Sequence, residues 1–200
     1  MPIIKQYNNV TVYGKLPGED SETICNSVYS AKDGYGVVYR LDKPVGGIIL
    51  LAKRSFDGEI VSKKYSFICT GRPEADVGDF HDFLYHDPGS NRTFPVKRMR
   101  KGVKEALLHY ELQSYDKGSN MSLVTAVIQT GRTHQIRAQF ASRRMPLAGD
   151  GKYGSRIKCP IALCCAEVVV RPSVNAAEER FVYGTDDIYP WNIFTEAKRG

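Results

Sequence analysis

Hydrophobic and polar positions along this chain predict more strands than helices. Runs rich in β-branched and aromatic residues at 64–70, 78–85, 105–115 and 121–130 predict strands, parted by turn formers such as Asp87-Pro88-Gly89 and Asp116-Lys117-Gly118. The segments 105–115 and 121–130 read as a hairpin. A continuous apolar run at 48–52, entered through a bend at Gly46-Gly47, and the largely apolar segment 161–170 predict buried strands. Helical spacing surfaces twice. Asp20 or Ser21 is positioned to cap a helix running to about Lys32, with Ile24 and Val28 on its inner face. From 134 to 144, Ile136 and Phe140 should point inward and Arg137 and Arg144 outward, with Thr133 as the N-cap. Residues 1–18 read as irregular or strand, closing at Lys15-Leu16-Pro17-Gly18, and the chain after Pro172 is mixed, ending in a basic tail. Successive strands with few helices between them, and no regular βα alternation, predict an α+β fold with a mixed, mainly antiparallel central sheet.

Composition narrows the class without naming a chemistry. At 200 residues, 42% hydrophobic and 25% charged, the expectation is one globular domain over 1–200. No apolar stretch approaches the roughly 18–20 residues that span a bilayer, and the N-terminus lacks a signal-peptide pattern. A soluble cytoplasmic protein is expected, with monomer as the default. The five cysteines (Cys25, Cys69, Cys159, Cys164 and Cys165) form no CxxC pair, which argues for reduced thiols over a disulfide framework or zinc site. Net charge is +6, and its placement says more than its size. Five cations fall within 97–104, and a second basic group spans Arg132, Arg137, Arg143, Arg144, Lys152, Arg156 and Lys158. Such a distribution suits a polyanionic partner as well as an ordinary solvated face.

Two segments carry candidate chemistry. Asp42 stands in Tyr39-Arg40-Leu41-Asp42-Lys43-Pro44, directly before the buried strand at 48–52. It reads either as a turn aspartate capping a backbone amide, or as a nucleophile or base held rigidly at a sheet edge. The second role needs a cation to keep the carboxylate ionised, and Arg132 and Arg137 are both available. They lie in Thr130-Gly131-Arg132-Thr133-His134-Gln135-Ile136-Arg137, at a predicted helix N-terminus where a phosphate would also be welcome. His81 and His86, near Asp79, Asp82 and Asp87, superficially suggest metal ligands, but residues five apart on a strand face opposite ways.

Taken in series, these segments resemble the RluA-type RNA pseudouridine synthases. The resemblance runs through Arg40-Leu41-Asp42, Lys64-Tyr65, 130–137, Met145-Pro146-Leu147-Ala148-Gly149-Asp150-Gly151-Lys152-Tyr153-Gly154 and Ile161-Ala162-Leu163, covering about 15–172. It implies that Asp42 is the essential carboxylate, that Arg132 pairs with it, and that Tyr65 stacks on the target base and assists proton transfer. By the same resemblance Leu163 lines the base pocket and Arg40 fills the gap left by an extruded nucleotide. Gly131, Thr133, His134, Gln135 and Arg137 complete the implied substrate-binding set. Extrusion costs a few kcal/mol, which an aromatic face and an apolar wall partly offset. The implied reaction is the isomerisation of uridine to pseudouridine in rRNA or tRNA, needing no metal or redox cofactor. Glycal and ester routes stay open.

Three departures from the family pattern stand out. Val45-Gly46-Gly47 replaces a Thr-Ser-Gly type sequence, Tyr39 stands where histidine is common, and the stretch from Ala52 to Lys64 leaves room for a helix of two turns at most. The expectation is a catalytic domain alone, with 97–104 and the 134–144 helix contacting phosphates. The competing reading is a non-catalytic RNA-binding protein that keeps the fold. A hydrolase with an aspartate nucleophile lacks the second carboxylate or metal such chemistry uses.

Overall fold

The computed structural model describes residues 3–184 and 189–196, so the basic tail at 197–200 lies outside the described residues. In chain order the elements are β1 (Ile3–Gln6), β2 (Val10–Lys15), α1 (Ser21–Val28), β3 (Tyr35–Val37), β4 (Gly46–Lys53), β5 (Glu59–Thr70), β6 (Val77–Asp87), β7 (Arg92–Val96), β8 (Val103–Asp116), β9 (Met121–Ile128), α2 (Gln135–Ser142), β10 (Leu163–Arg171), β11 (Glu179–Val182) and α3 (Asn192–Glu196). Single 3-10 turns at Ala31–Asp33 and Gly151–Tyr153 complete the list. No helix among the described residues is long and apolar enough to cross a membrane.

The chain forms two compact units. One contains the chain up to Tyr65 together with Cys164–Gly184; the other contains Ser66–Leu163 together with the C-terminal segment.

In the first unit β4 is central. Its run Gly46-Gly47-Ile48-Ile49-Leu50-Leu51-Ala52 is buried throughout, as an inner strand covered on both faces requires. β2 pairs with it antiparallel along its whole length, and β1 extends the sheet beyond β2. On the other edge, β3 pairs antiparallel with Leu51–Lys53, while Cys164 and Cys165 of β10 pair parallel with Gly46 and Gly47. β11 closes antiparallel on β10. Gly47 makes the parallel join possible. Its φ is +117°, and a Cβ there would lie 2.4 Å from the Cys165 carbonyl oxygen.

In the second unit β9, β8, β6 and β7 run antiparallel in that order. The predicted hairpin is present as β8–β9. The core contains Phe67, Phe80, Tyr110 and Phe140, whose rings meet edge-on or tilted. The α+β architecture with a mixed, mainly antiparallel sheet is as expected.

Several local expectations are corrected. α1 stops at Val28 because Ser30 starts a new turn, its backbone N–H and hydroxyl both donating to Asp33 at 2.8 Å. No helix occupies the stretch after Ala52; β4 runs to Lys53 and β5 begins at Glu59. β7 is absent from the strands the sequence predicts, and it contains Pro95, which cannot donate to a ladder. It is tolerated because β7 is an edge that pairs only with β6. The helix N-cap is His134, in the left-handed region at φ 53°, not Thr133.

Candidate active site

Asp42 lies on the loop between β3 and β4, half-exposed between the buried side chains Leu41 and Val45. The loop is tightened by the Val45 amide, which donates to the Asp42 carbonyl at 2.8 Å. Beneath it lies Lys15, the last residue of β2, with no exposed surface. The Lys15 ammonium donates to the carbonyls of Val45 (2.6 Å), Lys43 (3.0 Å), Leu16 (3.2 Å) and Asp42 (3.4 Å). A buried cation is costly unless its donors are satisfied, and here backbone dipoles surround it. Burial pulls the Lys15 pKa down, while Glu19, Asp20 and Asp42 push it back up. The Lys43 carbonyl also accepts from Gly18 at 2.8 Å, tying the loop to the turn after β2.

Tyr65 belongs to the same unit and is nearly buried. Burial, Cys165 and the Asp42 carboxylate all push its phenol well above 10, so it remains protonated at neutral pH. It can offer a ring face and an O–H, but not a phenolate. Tyr39 bridges the loop to β4 by donating to the Ile48 carbonyl at 2.7 Å, and its hydroxyl is 3.9 Å from the Cys165 sulfur. The Lys63 ammonium lies 4.3 Å from the Tyr39 ring centroid. The Cys165 thiol, pushed up to about 12 by burial, is no nucleophile. Arg40 is exposed. The first unit therefore gathers Asp42, Tyr65 and Arg40 with three residues to which the sequence assigned no part in the site: Lys15, Cys165 and, as a positioning group, Tyr39. For Lys15 a signal existed, a lysine ending an apolar strand just before Leu16-Pro17.

The Arg132 loop belongs to the second unit. Gln135 closes it: its side-chain carbonyl accepts from the Thr130 hydroxyl (2.9 Å) and the Arg132 amide (3.1 Å), and its NH2 donates to the Leu107 carbonyl at 3.0 Å. The Arg132 side chain is aimed by Nε donating to the Glu105 carbonyl at 2.8 Å. The Thr133 carbonyl accepts from the Thr93 hydroxyl at 2.8 Å, while the Gly131 and Thr133 residues themselves are exposed. His134 is buried with Nδ1 3.0 Å from the Tyr153 hydroxyl. Leu163 is buried at the start of β10.

Arg137 was expected to point outward. Instead it is buried, with Nε 2.7 Å and Nη2 2.9 Å from the two carboxylate oxygens of Asp150. This bidentate pair clamps the Gly149-Asp150 turn onto α2. Breaking it should be expensive. Arg137→Met alone is expected to cost about 3–5 kcal/mol, because a buried carboxylate loses its partner, whereas adding Asp150→Leu should restore much of the loss. Urea unfolding of the single and double variants measures the difference. His81 and His86 are engaged separately, with Glu105 at 2.8 Å and the Thr93 hydroxyl at 3.1 Å.

Comparison with known proteins identifies the family. A family model described as RNA pseudouridylate synthase matches residues 18–142. An uncharacterized RNA pseudouridine synthase from Aquifex aeolicus is 35% identical over 157 residues, covering 69% of this chain and 48% of the relative. The ribosomal large subunit pseudouridine synthase C of Rickettsia felis is 28% identical over 171 residues, covering 76% of this chain and 55% of the relative. The chain thus spans about half the length of these curated relatives. In fold it is similar to human RNA pseudouridylate synthase domain containing 4, with a TM-score of 0.72 at 17% identity over 98% of this chain and 92% of the other. The match over most of the chain, together with the serial motifs around Asp42, Tyr65 and Arg132, places the protein in the RNA pseudouridylate synthase family, among its RluA-type members.

Proposed function

We propose that this chain isomerises uridine to pseudouridine in a structured RNA, with Asp42 as the essential carboxylate. The observation that carries the reading is a half-exposed aspartate on a loop held from beneath by a buried lysine, with a protonated, buried tyrosine electrostatically coupled to it. In the reaction the C1′–N1 bond breaks, the uracil turns, and a C1′–C5 bond forms. C5 gives up its proton and N1 ends with one, so atoms balance without a cofactor. Asp42 acts on the sugar as nucleophile or base. The Tyr65 ring receives the extruded base and its O–H serves proton transfer, while Leu163 supplies an apolar wall and Arg40 fills the vacated stack. Arg132 is the carboxylate's cationic partner in this reading. Gln135, His134 and Arg137 act one step back, shaping the Arg132 loop and its helix through the contacts described above. Gly131 and Thr133 offer exposed backbone to the RNA.

Phosphate binding falls to the exposed turn between β7 and β8 and the start of β8, where Lys97, Arg98, Arg100, Lys101 and Lys104 all face solvent. α2 contributes less than its sequence suggests, because Arg143 also pairs with Asp82 at 2.9 Å. Five phosphate contacts imply that log affinity falls with log salt at a slope of about −3.5 to −4.5. Filter binding across a salt series tests this, and a flat response would remove the phosphate assignment. Among RNA classes, ribosomal RNA is favoured by the relative named for the large ribosomal subunit. The functional test is site-resolved pseudouridine mapping in cells with and without the gene. Loss of one or a few sites in the deletion supports the reading and names the target; an unchanged map in cells that express the protein refutes it.

A further inference from the structure

A second feature of the first unit lies at the other end of β4 from Asp42. The β1–β2 turn, the C-terminus of α1, and β3 border an open groove of about 880 Å³ whose lining includes Tyr7, Asn8, Tyr29, Lys32, Tyr35 and Lys53. That volume falls within the range of ligand-sized sites. Tyr29 and Tyr35 stack face to face, with ring centroids 3.7 Å apart and planes within 3°. Their hydroxyls are fixed: Tyr29 to the Thr11 hydroxyl at 2.5 Å, and Tyr35 donating to the Asn8 carbonyl at 3.3 Å. Tyr29 takes one face of Tyr35, and the Lys53 ammonium lies over the Tyr35 ring, 5.4 Å from its centroid. A second cavity of about 570 Å³ shares Tyr35 and Lys53 and adds Arg54. The one acid in the first lining, Asp33, is already engaged by the Ser30 amide and hydroxyl.

We propose that this groove binds a single-stranded segment of the RNA substrate, a base stacking on the Tyr29–Tyr35 platform and Lys32, Lys53 and Arg54 taking phosphates. Rigid aromatic faces interleaved with cations are the elements from which single-strand sites are made. Lysine over a ring is held by a modest attraction, so a base displaces it at small cost and the freed ammonium turns to phosphate. The inference rests on the proposed action on RNA. It adds a contact remote from the chemistry: the seven residue steps from Gly46 to Lys53 correspond to about 23 Å along the strand, or about seven stacked nucleotides. The groove therefore contributes to affinity for long RNA and leaves the chemical step alone.

The test uses the full chain and a fluorescein-labelled twelve-nucleotide single-stranded RNA carrying 5-iodouridine for photo-crosslinking. Adducts are expected on Tyr7, Tyr29 or Tyr35. The double variant Lys32→Gln/Lys53→Gln should lower the salt slope by about 1.4. Tyr35→Ala should weaken binding about tenfold and Tyr35→Phe, which keeps the ring, hardly at all. Adducts confined to the β7–β8 turn, or unchanged affinity in the lysine double variant, overturn the groove, as they would if it served a protein partner. Crosslinking and pseudouridine formation by the wild-type chain separate the two readings. Groove adducts without any pseudouridine formation by the wild type would sink the proposed reaction and keep the groove, whereas pseudouridine formation without groove adducts would do the reverse.

Discussion

Asp42→Asn is expected to reduce pseudouridine formation by at least about 10³-fold while leaving RNA affinity within about twofold of the wild type. Asparagine keeps the size and the polarity of the side chain but removes the charge and the ability to attack or deprotonate the sugar. The Asp42 carbonyl, which accepts from the Val45 amide and Lys15, is untouched, so the loop should keep its shape. Tyr65 offers an internal check. The Asp42 carboxylate is one of the influences raising its phenol, so removing that charge should move the Tyr65 titration downward while burial keeps it above 10. Single-turnover assays on a mapped substrate, paired with filter binding, separate catalysis from affinity. Activity retained by the asparagine form would mean that another group carries the reaction.

Lys15→Met should be the most damaging substitution away from the reacting groups. Methionine fills much of the space but leaves the Val45, Lys43 and Asp42 carbonyls without their shared donor. The expected loss is about 3–5 kcal/mol of stability, with activity falling further than stability alone explains because the Asp42 loop is no longer tied down. Thermal unfolding and kcat at a temperature where the variant remains folded distinguish the two effects. A pH dependence follows for the native lysine. Its folded pKa is below its unfolded value, so the unfolded state binds more protons between the two. Stability from this group is lost as pH falls through that window and regained as pH rises toward 10.5. A Lys15→Met chain should lack that part of the stability profile.

How legible was this molecule in its sequence? The strands announced themselves through composition, and β8–β9 did so most clearly because both arms are long and meet at Asp116-Lys117-Gly118. The family was legible because its motifs, around Asp42, Tyr65 and Arg132, are short and follow one another in a fixed order. What failed has a common cause, namely partners distant in sequence. Arg137 reads as a surface cation on a helix until Asp150 is placed against it. Lys15 reads as a solvated strand end until the carbonyls of residues 42–45 are folded over it. β7 contains a proline, and only its position at an edge makes that harmless. Tyr39 and Cys165 looked like a departure and a spare thiol, yet they lie close enough to brace Tyr65.

The glycine at 47 carries a consequence for how this protein can vary. Its missing side chain is what lets β4 touch the Cys165 backbone, and sliding the strand by one position would drive Ile48 into that carbonyl. The segment between Asp42 and Gly47 is consequently held at both ends, by Lys15 on the carbonyls of Asp42, Lys43 and Val45 and by the Gly47 contact with Cys165, so a change in its length would break one or the other. Within it Gly46 is confined as well, because a Cβ there would meet Pro17 at 3.1 Å, so freedom to vary falls to the exposed side chains of Lys43 and Pro44.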